Sequence, residues 1–231
     1  MNETIKEFLP VMAAEWQQTL SWEPTSEQQQ LFQHFYDLII ETNRTLNLTR
    51  ITDPLEFWEK HLWDSLRGMK SFFLPSEISN SSVLNAIDIG TGGGFPGIPI
   101  AISFPQCRVT LIDSTRKKIT FVEQVIKELK LENAIGLNAR AEEINHKPPH
   151  QGSYDLAFLR AITAATTCAK YAFPFLKKGG LAILYRGHWQ AEEEKELKII
   201  LKQLGGKIEL VDAFTTPLSE GVRHCIYLRK L

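Results

Sequence analysis

Cysteine is scarce and scattered: Cys107, Cys168 and Cys225 are the three in the chain, and no two form a C-x-x-C pair. That spacing excludes a disulfide framework and a thiolate metal site, and it reads as buried thiols in a reducing cytosol. The six histidines are equally dispersed, so no metal-ligand cluster is expected. Long apolar runs are missing as well. No stretch reaches the ~18–20 apolar residues of a membrane span. Residues 1–10 hold two acids where a secretory leader would carry a basic start. The expectation is a protein acting in the cytoplasm, with no membrane segment.

Charge of one sign is absent overall, at a net −1, but it is unevenly placed. Residues 1–80 carry 6 Lys and Arg against 12 Asp and Glu, whereas residues 81–231 carry 20 against 15. A polyanionic partner would therefore meet the C-terminal part more readily.

Glycine, by contrast, is concentrated. Asp88-Ile-Gly90-Thr-Gly92-Gly93-Gly94-Phe95-Pro96-Gly97 follows the apolar run at 83–87 and precedes a second apolar segment, 98–102. Asp113 then closes another apolar run at 109–112. Strand, glycine turn, helix, strand and acid is the order of a nucleotide-binding βαβ unit, with Asp113 placed to accept ribose hydroxyls. Two registers overlap here. Gly92-x-Gly94-x-x-Gly97 is a dinucleotide pattern, and Asp88-x-Gly90-x-Gly92-x-Gly94 is the pattern of S-adenosylmethionine enzymes. A pyrophosphate on the helix N-terminus would be repelled by the carboxylate of Asp88, whereas a cationic cofactor is attracted to it. S-Adenosylmethionine is the cofactor expected.

Around residue 80 the pattern changes. Leu31, Phe35, Leu38 and Ile39 recur at helical spacing, as do Leu55, Trp58, Leu62 and Leu66, the latter set opened by Asp53-Pro54. A Ser/Asn-rich tract at 76–82 reads as a linker. Beyond it, strands are predicted at 83–89, 109–113, 134–139, 154–160, 181–185, 207–214 and 222–229. Helices are predicted from 96 and over 115–130, 164–173 and 191–204. Such alternation implies an α/β fold, a doubly wound Rossmann-like sheet over 81–231, with an N-terminal helical extension over 1–80. The last two strands are joined by a short loop suited to antiparallel pairing.

Ligands in such sheets bind beyond the carboxyl ends of the strands. The third strand is followed by Ala141 and Glu142, where an adenine edge would lie. The fourth ends at Arg160 and the fifth at Arg186. The run Arg116-Lys117-Lys118 sits in the first turn of a helix, where cations oppose the helix dipole, and so reads either as a solvated face or as a phosphate contact.

These residues resemble the small-subunit ribosomal RNA guanine-N7 methyltransferases. The resemblance runs from about residue 28 onward and is carried by Asn47-Leu48-Thr49, His61-x-x-Asp64-Ser65, the loop from Asp88 through Phe95-Pro96-Gly97-Ile98-Pro99, Leu111-Ile112-Asp113-Ser114, Arg160-Ala161 and Arg223-His224. The Phe-Pro-Gly-Ile-Pro extension is far more specific than the glycines. Two positions depart from the family pattern: Leu159, where the family often has Ser, and Arg186-Gly187, where it has Lys-Gly.

The resemblance implies an S-adenosylmethionine pocket lined by Gly90, Phe95, Asp113, Ser114, Thr115, Ala141, Glu142 and Arg160. It implies a rim pair, His61 and Asp64, and substrate contacts from Arg186 and Arg223. It further implies ribosomal RNA or the small ribosomal subunit as partner, no metal, and a monomeric enzyme. Guanine N7 carries a lone pair and no proton, so methyl transfer there needs no general base, and none is evident. Amino-methylating N/D-P-P-Y/F is absent; Cys168 lacks the Pro-Cys companion of cytosine-C5 enzymes and reads as packing. The rival readings are an NAD-dependent oxidoreductase, disfavoured by the absence of Tyr-x-x-x-Lys, and a methyltransferase acting on a small molecule.

Overall fold

The computed structural model describes residues 7–73 and 83–231. The linker expected at 76–82 lies outside the described residues. Seven strands form one sheet in the order β3-β2-β1-β4-β5-β7-β6. They are β1 (Leu84–Ile89), β2 (Cys107–Asp113), β3 (Ala134–Asn138), β4 (Tyr154–Arg160), β5 (Leu176–Arg186), β6 (Gly206–Thr215) and β7 (Val222–Lys230). β1 to β5 run parallel, and β7 pairs antiparallel with both β5 and β6. This is the doubly wound sheet expected, with its closing edge antiparallel as the short 216–221 connection suggested. β5 begins earlier than the apolar run at 181, because Leu176 to Gly180 extend it through exposed Lys178 and Gly179, a stretch without a strand pattern.

Alternation along each strand decides which layer covers it. Leu181, Ile183 and Tyr185 face one cluster, and Ala182 and Leu184 face the other. The second cluster is covered by α7 (Ala165–Ala172) and α8 (Ala191–Leu204), through Cys168, Ala169, Leu197 and Leu201. The first is covered by α5 (Gly97–Ser103), α6 (Arg116–Glu128) and the N-terminal helices α1 (Ala13–Leu20) and α2 (Ser26–Asn43). Trp16, Phe35, Phe57, Trp58 and Trp63 of the N-terminal part therefore lie in the same core as Leu111, Phe158 and Tyr227 of the sheet.

The helix expected from residue 54 is built in three parts. α3 (Pro54–Phe57) starts on an Asp53 cap that accepts from Leu55 and Glu56 N–H. A π-helical segment, Trp58–Trp63, follows, and α4 (Asp64–Arg67) completes it. Trp58, Leu62 and Leu66 are buried as their spacing predicted, whereas Leu55 is 48% exposed. Tyrosines hold this helix to the sheet: Tyr185 Oη donates to the Ser65 carbonyl at 2.7 Å, and Tyr227 Oη to the Gly68 carbonyl at 3.1 Å. Gly68 is needed there, since a Cβ would lie 2.4 Å from Tyr185 Oη.

Candidate functional site: two cavities that meet at Ala161

Beyond the carboxyl ends of β1, β2 and β3 lies a cavity of about 340 Å³. The glycine loop enters its lining through Gly90. The N–H groups of Gly90 and Thr91 both donate to the Ile112 carbonyl, which bends the chain away from β1. Gly90 adopts φ 72°, a left-handed conformation that favours glycine. Asp113 stands at the end of β2, where its Oδ1 accepts from Thr115 N–H at 2.8 Å and its Oδ2 from Gly92 N–H at 3.1 Å. Those bonds fix the carboxylate at the cavity wall and tie the loop to the next strand. Ser114, Thr115, Ala141 and Glu142 complete the wall.

Asp88 has a different place from the one its motif suggested. It is fully buried, and its Oδ2 accepts from Thr91 Oγ1 at 2.5 Å and from Gly97 N–H at 2.9 Å. It thus holds the glycine turn against the start of α5 and does not open into the cavity. Burial pushes its carboxyl up to about 6, even though these two bonds and Arg160 favour the ionised form.

A second cavity, of about 550 Å³, opens beyond β4, β5 and the β6–β7 loop. The two cavities share Ala161, a non-glycine residue at φ 54° immediately after β4. Such a conformation costs ~1–3 kcal/mol and tends to be kept at functional sites. One wall of the larger cavity is the π-helical segment. Asp64 N–H reaches back five residues to the Glu59 carbonyl, a spacing that stacks Glu59 and Asp64 on one side. An α-helix would splay them by roughly 140°. Glu59, Lys60, His61 and Asp64 all line the cavity in consequence.

Arg160 organises that wall. Its Nη1 donates to the Lys60 carbonyl at 3.0 Å and to Asp64 Oδ2 at 3.1 Å, and its Nη2 lies 3.3 Å from His61 Nδ1. A guanidinium donates only, so His61 Nδ1 is the acceptor and Nε2 carries the proton, which it gives to Thr49 Oγ1 at 2.7 Å. Burial, reinforced by the Arg160 charge, lowers the His61 imidazole to about 3, so it is neutral at physiological pH. Burial raises the Asp64 carboxyl, against the pull of Arg160. On the far side, Glu59 Oε1 accepts from Leu218 N–H at 2.6 Å and Ser219 N–H at 2.9 Å, pinning the β6–β7 loop. Burial alone would raise the Glu59 carboxyl; hydrogen bonds from Ser219, Leu218 and Thr216 override it and hold it below the usual range.

The residues expected for the cofactor divide between these places. Gly90, Asp113, Ser114, Thr115, Ala141 and Glu142 line the smaller cavity. Arg160 lines the larger one, beside His61, Asp64, Arg186 and Arg223. Phe95 lines neither. Its ring is buried behind His61, stacked at 4.3 Å and 12°, so it supports that wall. Lys118, expected as a solvated or phosphate-binding cation, instead lies 3.7 Å from Asp113 Oδ2, whereas Arg116 and Lys117 are exposed. Arg186 is committed to Glu193 Oε1 at 2.6 Å and to the Thr163 carbonyl. Cys168 is buried and donates weakly to the Thr163 carbonyl at 3.6 Å, as a packing thiol would. Glu59, Lys60, His188, Thr216 and Ser219 also line the larger cavity, outside every motif in the sequence. Their only signal in the sequence was nearness to His61, Arg186 and Arg223.

A family model described as rRNA small subunit methyltransferase G matches residues 28–224. The chain belongs to that family. A relative from Trichormus variabilis, named ribosomal RNA small subunit methyltransferase G, is 57% identical over 97% of this chain and 91% of its own length. Another of the same name from Nostoc punctiforme is 54% identical over 97% and 91%. Among solved structures, a SAM-dependent methyltransferase from Aquifex aeolicus superposes with TM-score 0.53 at 16% identity, over 78% of this chain and 94% of its own. The M. jannaschii protein TYW2 in complex with AdoMet gives 0.52 at 19%, over 64% and 68%. These two likenesses show the Rossmann-like methyltransferase fold. Members of this family are S-adenosylmethionine-dependent methyltransferases, and the smaller cavity fits that cofactor: a loop opened by glycine, an anchored carboxylate for a diol, and a carboxylate at the adenine end. Among the described residues no helix is long and apolar enough to cross a membrane, and no group of three metal ligands occurs.

Proposed function

We propose that this chain transfers a methyl group from S-adenosylmethionine to N7 of a guanine in small-subunit ribosomal RNA, working in the cytoplasm as a monomer. The observation that carries the reading is the meeting of the two cavities at Ala161, one with the cofactor residues and one with a polar, cation-lined wall. Read as a catalytic domain over 81–231 with an extension over 1–80, the chain builds that second wall from strand-end residues of the one and from Glu59, Lys60, His61 and Asp64 of the other.

When bound, the cofactor supplies an electrophilic methyl group, and guanine N7 supplies the lone pair that attacks it. No proton leaves, so no base is required. The chain's contribution is alignment and exclusion of water, which together account for a large part of such a barrier. With the cofactor bound, Asp113 would accept from the ribose diol, Ala141 and Glu142 would hold the adenine, and Gly90 would keep the approach open. His61 is held neutral and hydrogen-bonded at both nitrogens, which suits a wall better than a proton carrier. A small-molecule acceptor would not need four long cations around the larger cavity.

The test uses small ribosomal subunits lacking the modification, labelled S-adenosylmethionine, and mapping of the methylated base. Incorporation at a single guanine N7 is expected. Methylation of an adenine, a cytosine or a small molecule would overturn the substrate reading and leave the fold and cofactor site intact.

A further inference from the structure

Four long cations surround the larger cavity: Lys60, Arg160, Arg186 and Arg223. Three are neutralised within the chain, Lys60 by Glu56 at 2.5 Å, Arg160 by Asp64 at 3.1 Å and Arg186 by Glu193 at 2.6 Å. Arg223, half-buried near the start of β7, has no carboxylate within ion-pair distance among the described residues. Its charge is felt by Asp64, but that carboxylate is already bonded to Arg160.

Arg223 pairs with Phe214 on the β6 side, and on the β5 side Gly187 lies one residue beyond the last pair, Arg186 with His224. The backbone makes no demand for glycine there, because Gly187 is not among the glycines in the left-handed region. The one atom that a Cβ would crowd is Nη1 of Arg223, at 2.9 Å. An added Cβ would be accommodated by moving that flexible guanidinium, so glycine here leaves the guanidinium its present place. That guanidinium faces a cavity whose other cations are all engaged.

We infer that Arg223 is the receptor for a backbone phosphate beside the target nucleotide, and that Gly187 is the gap that seats its guanidinium. The inference rests on the RNA methyl-transfer reading and names the anion that this site takes. A planar guanidinium with its donors unengaged matches two phosphate oxygens. The competing use of an arginine, bidentate to guanine O6 and N7, is closed to this reaction. A donor on N7 would occupy the lone pair that receives the methyl group. Arg223 therefore positions the nucleotide through its backbone and leaves the N7 edge free.

The experiment compares R223Q, R223K, G187A and the G187A/R223Q double variant in the full chain, with unmodified small subunits as substrate. KM and kcat are read across a salt series, with S-adenosylmethionine Kd by calorimetry. R223Q is expected to raise KM about tenfold and to reduce the slope of log(kcat/KM) against log salt by roughly one. R223K should restore the slope but only part of KM, because it keeps the charge and loses the fork. G187A should raise KM several-fold alone and change nothing further in the R223Q background. Three outcomes would overturn the assignment: a changed cofactor Kd in R223Q, a fall in kcat with KM and slope unmoved, or equal effects of G187A in both backgrounds. If wild type methylates a position other than guanine N7, the proposed reaction falls; the salt slope of R223Q and R223K still reads the phosphate contact separately.

Discussion

The Arg160 guanidinium donates to the Lys60 carbonyl across 3.0 Å, a bond from a side chain one hundred residues away in sequence. That carbonyl lies in the π-helical segment, where Asp64 N–H bonds to the Glu59 carbonyl five residues back. One arginine thereby supports the distorted turn, neutralises Asp64 and orients His61. Arg160→Ala would strip a buried carboxylate of its cation and a carbonyl of its donor. A loss of ~3–5 kcal/mol is expected, read by urea unfolding, with methylation abolished. Arg160→Lys should recover only part, since an ammonium cannot span the three acceptors. Stability within about 0.5 kcal/mol of wild type in the alanine variant would refute this account.

Asp113→Ala should weaken S-adenosylmethionine by about 1–3 kcal/mol, the usual cost of removing a charged acceptor. Because Asp113 also anchors Gly92 and Thr115 N–H, Asp113→Asn is the sharper probe. Its amide oxygen can keep one anchor while the carboxylate is lost. Calorimetry should show an intermediate Kd for Asn. Normal cofactor affinity in both variants, with only RNA binding impaired, would remove Asp113 from the cofactor site.

The neutral state of His61 makes stability depend on pH. Its folded value, about 3, lies below the ~6.5 of an unfolded histidine, so between these values the unfolded chain binds the extra proton. Stability should be fully present above about pH 6.5 and should fall as pH drops toward 3. The slope from this group is at most ~1.4 kcal/mol per pH unit. Asp88 acts in the opposite sense: its carboxyl is raised to about 6, so its contribution weakens as pH climbs from the unfolded value toward 6. Denaturant titrations from pH 4 to 7 on wild type and His61→Gln should separate them. An identical acid slope in the two proteins would count against the buried neutral imidazole.

Glu59→Gln tests the loop that closes the larger cavity. Its carboxylate accepts two backbone N–H groups of the 216–221 connection, and charge-assisted bonds are about twice as strong as neutral ones. The amide should loosen the loop, raising KM for subunits several-fold while cofactor Kd stays unchanged. Hydrogen exchange at Leu218 and Ser219 amides should quicken in parallel. Protected amides with an unaltered KM would show that the loop is held by other contacts.

Much of this protein was decided locally and could be read in order along the chain. The alternation of apolar runs with helical periods set the parallel sheet, and the glycines before α5 with Asp113 at the end of β2 set the turn that lines the smaller cavity, because a βαβ turn is built from residues near one another in sequence. Only the tertiary structure decided the other cavity. Glu59, His61 and Asp64 share a wall because a π-turn changes the pitch, and no periodicity in the residues announces it. Asp88 turned inward and Phe95 became a support because burial depends on which layer covers a loop, and that layer, the N-terminal helices, comes from the far end of the chain. The cations looked alike in sequence. Which of them stayed without a carboxylate was settled by contacts between strand ends and helices that lie far apart in sequence.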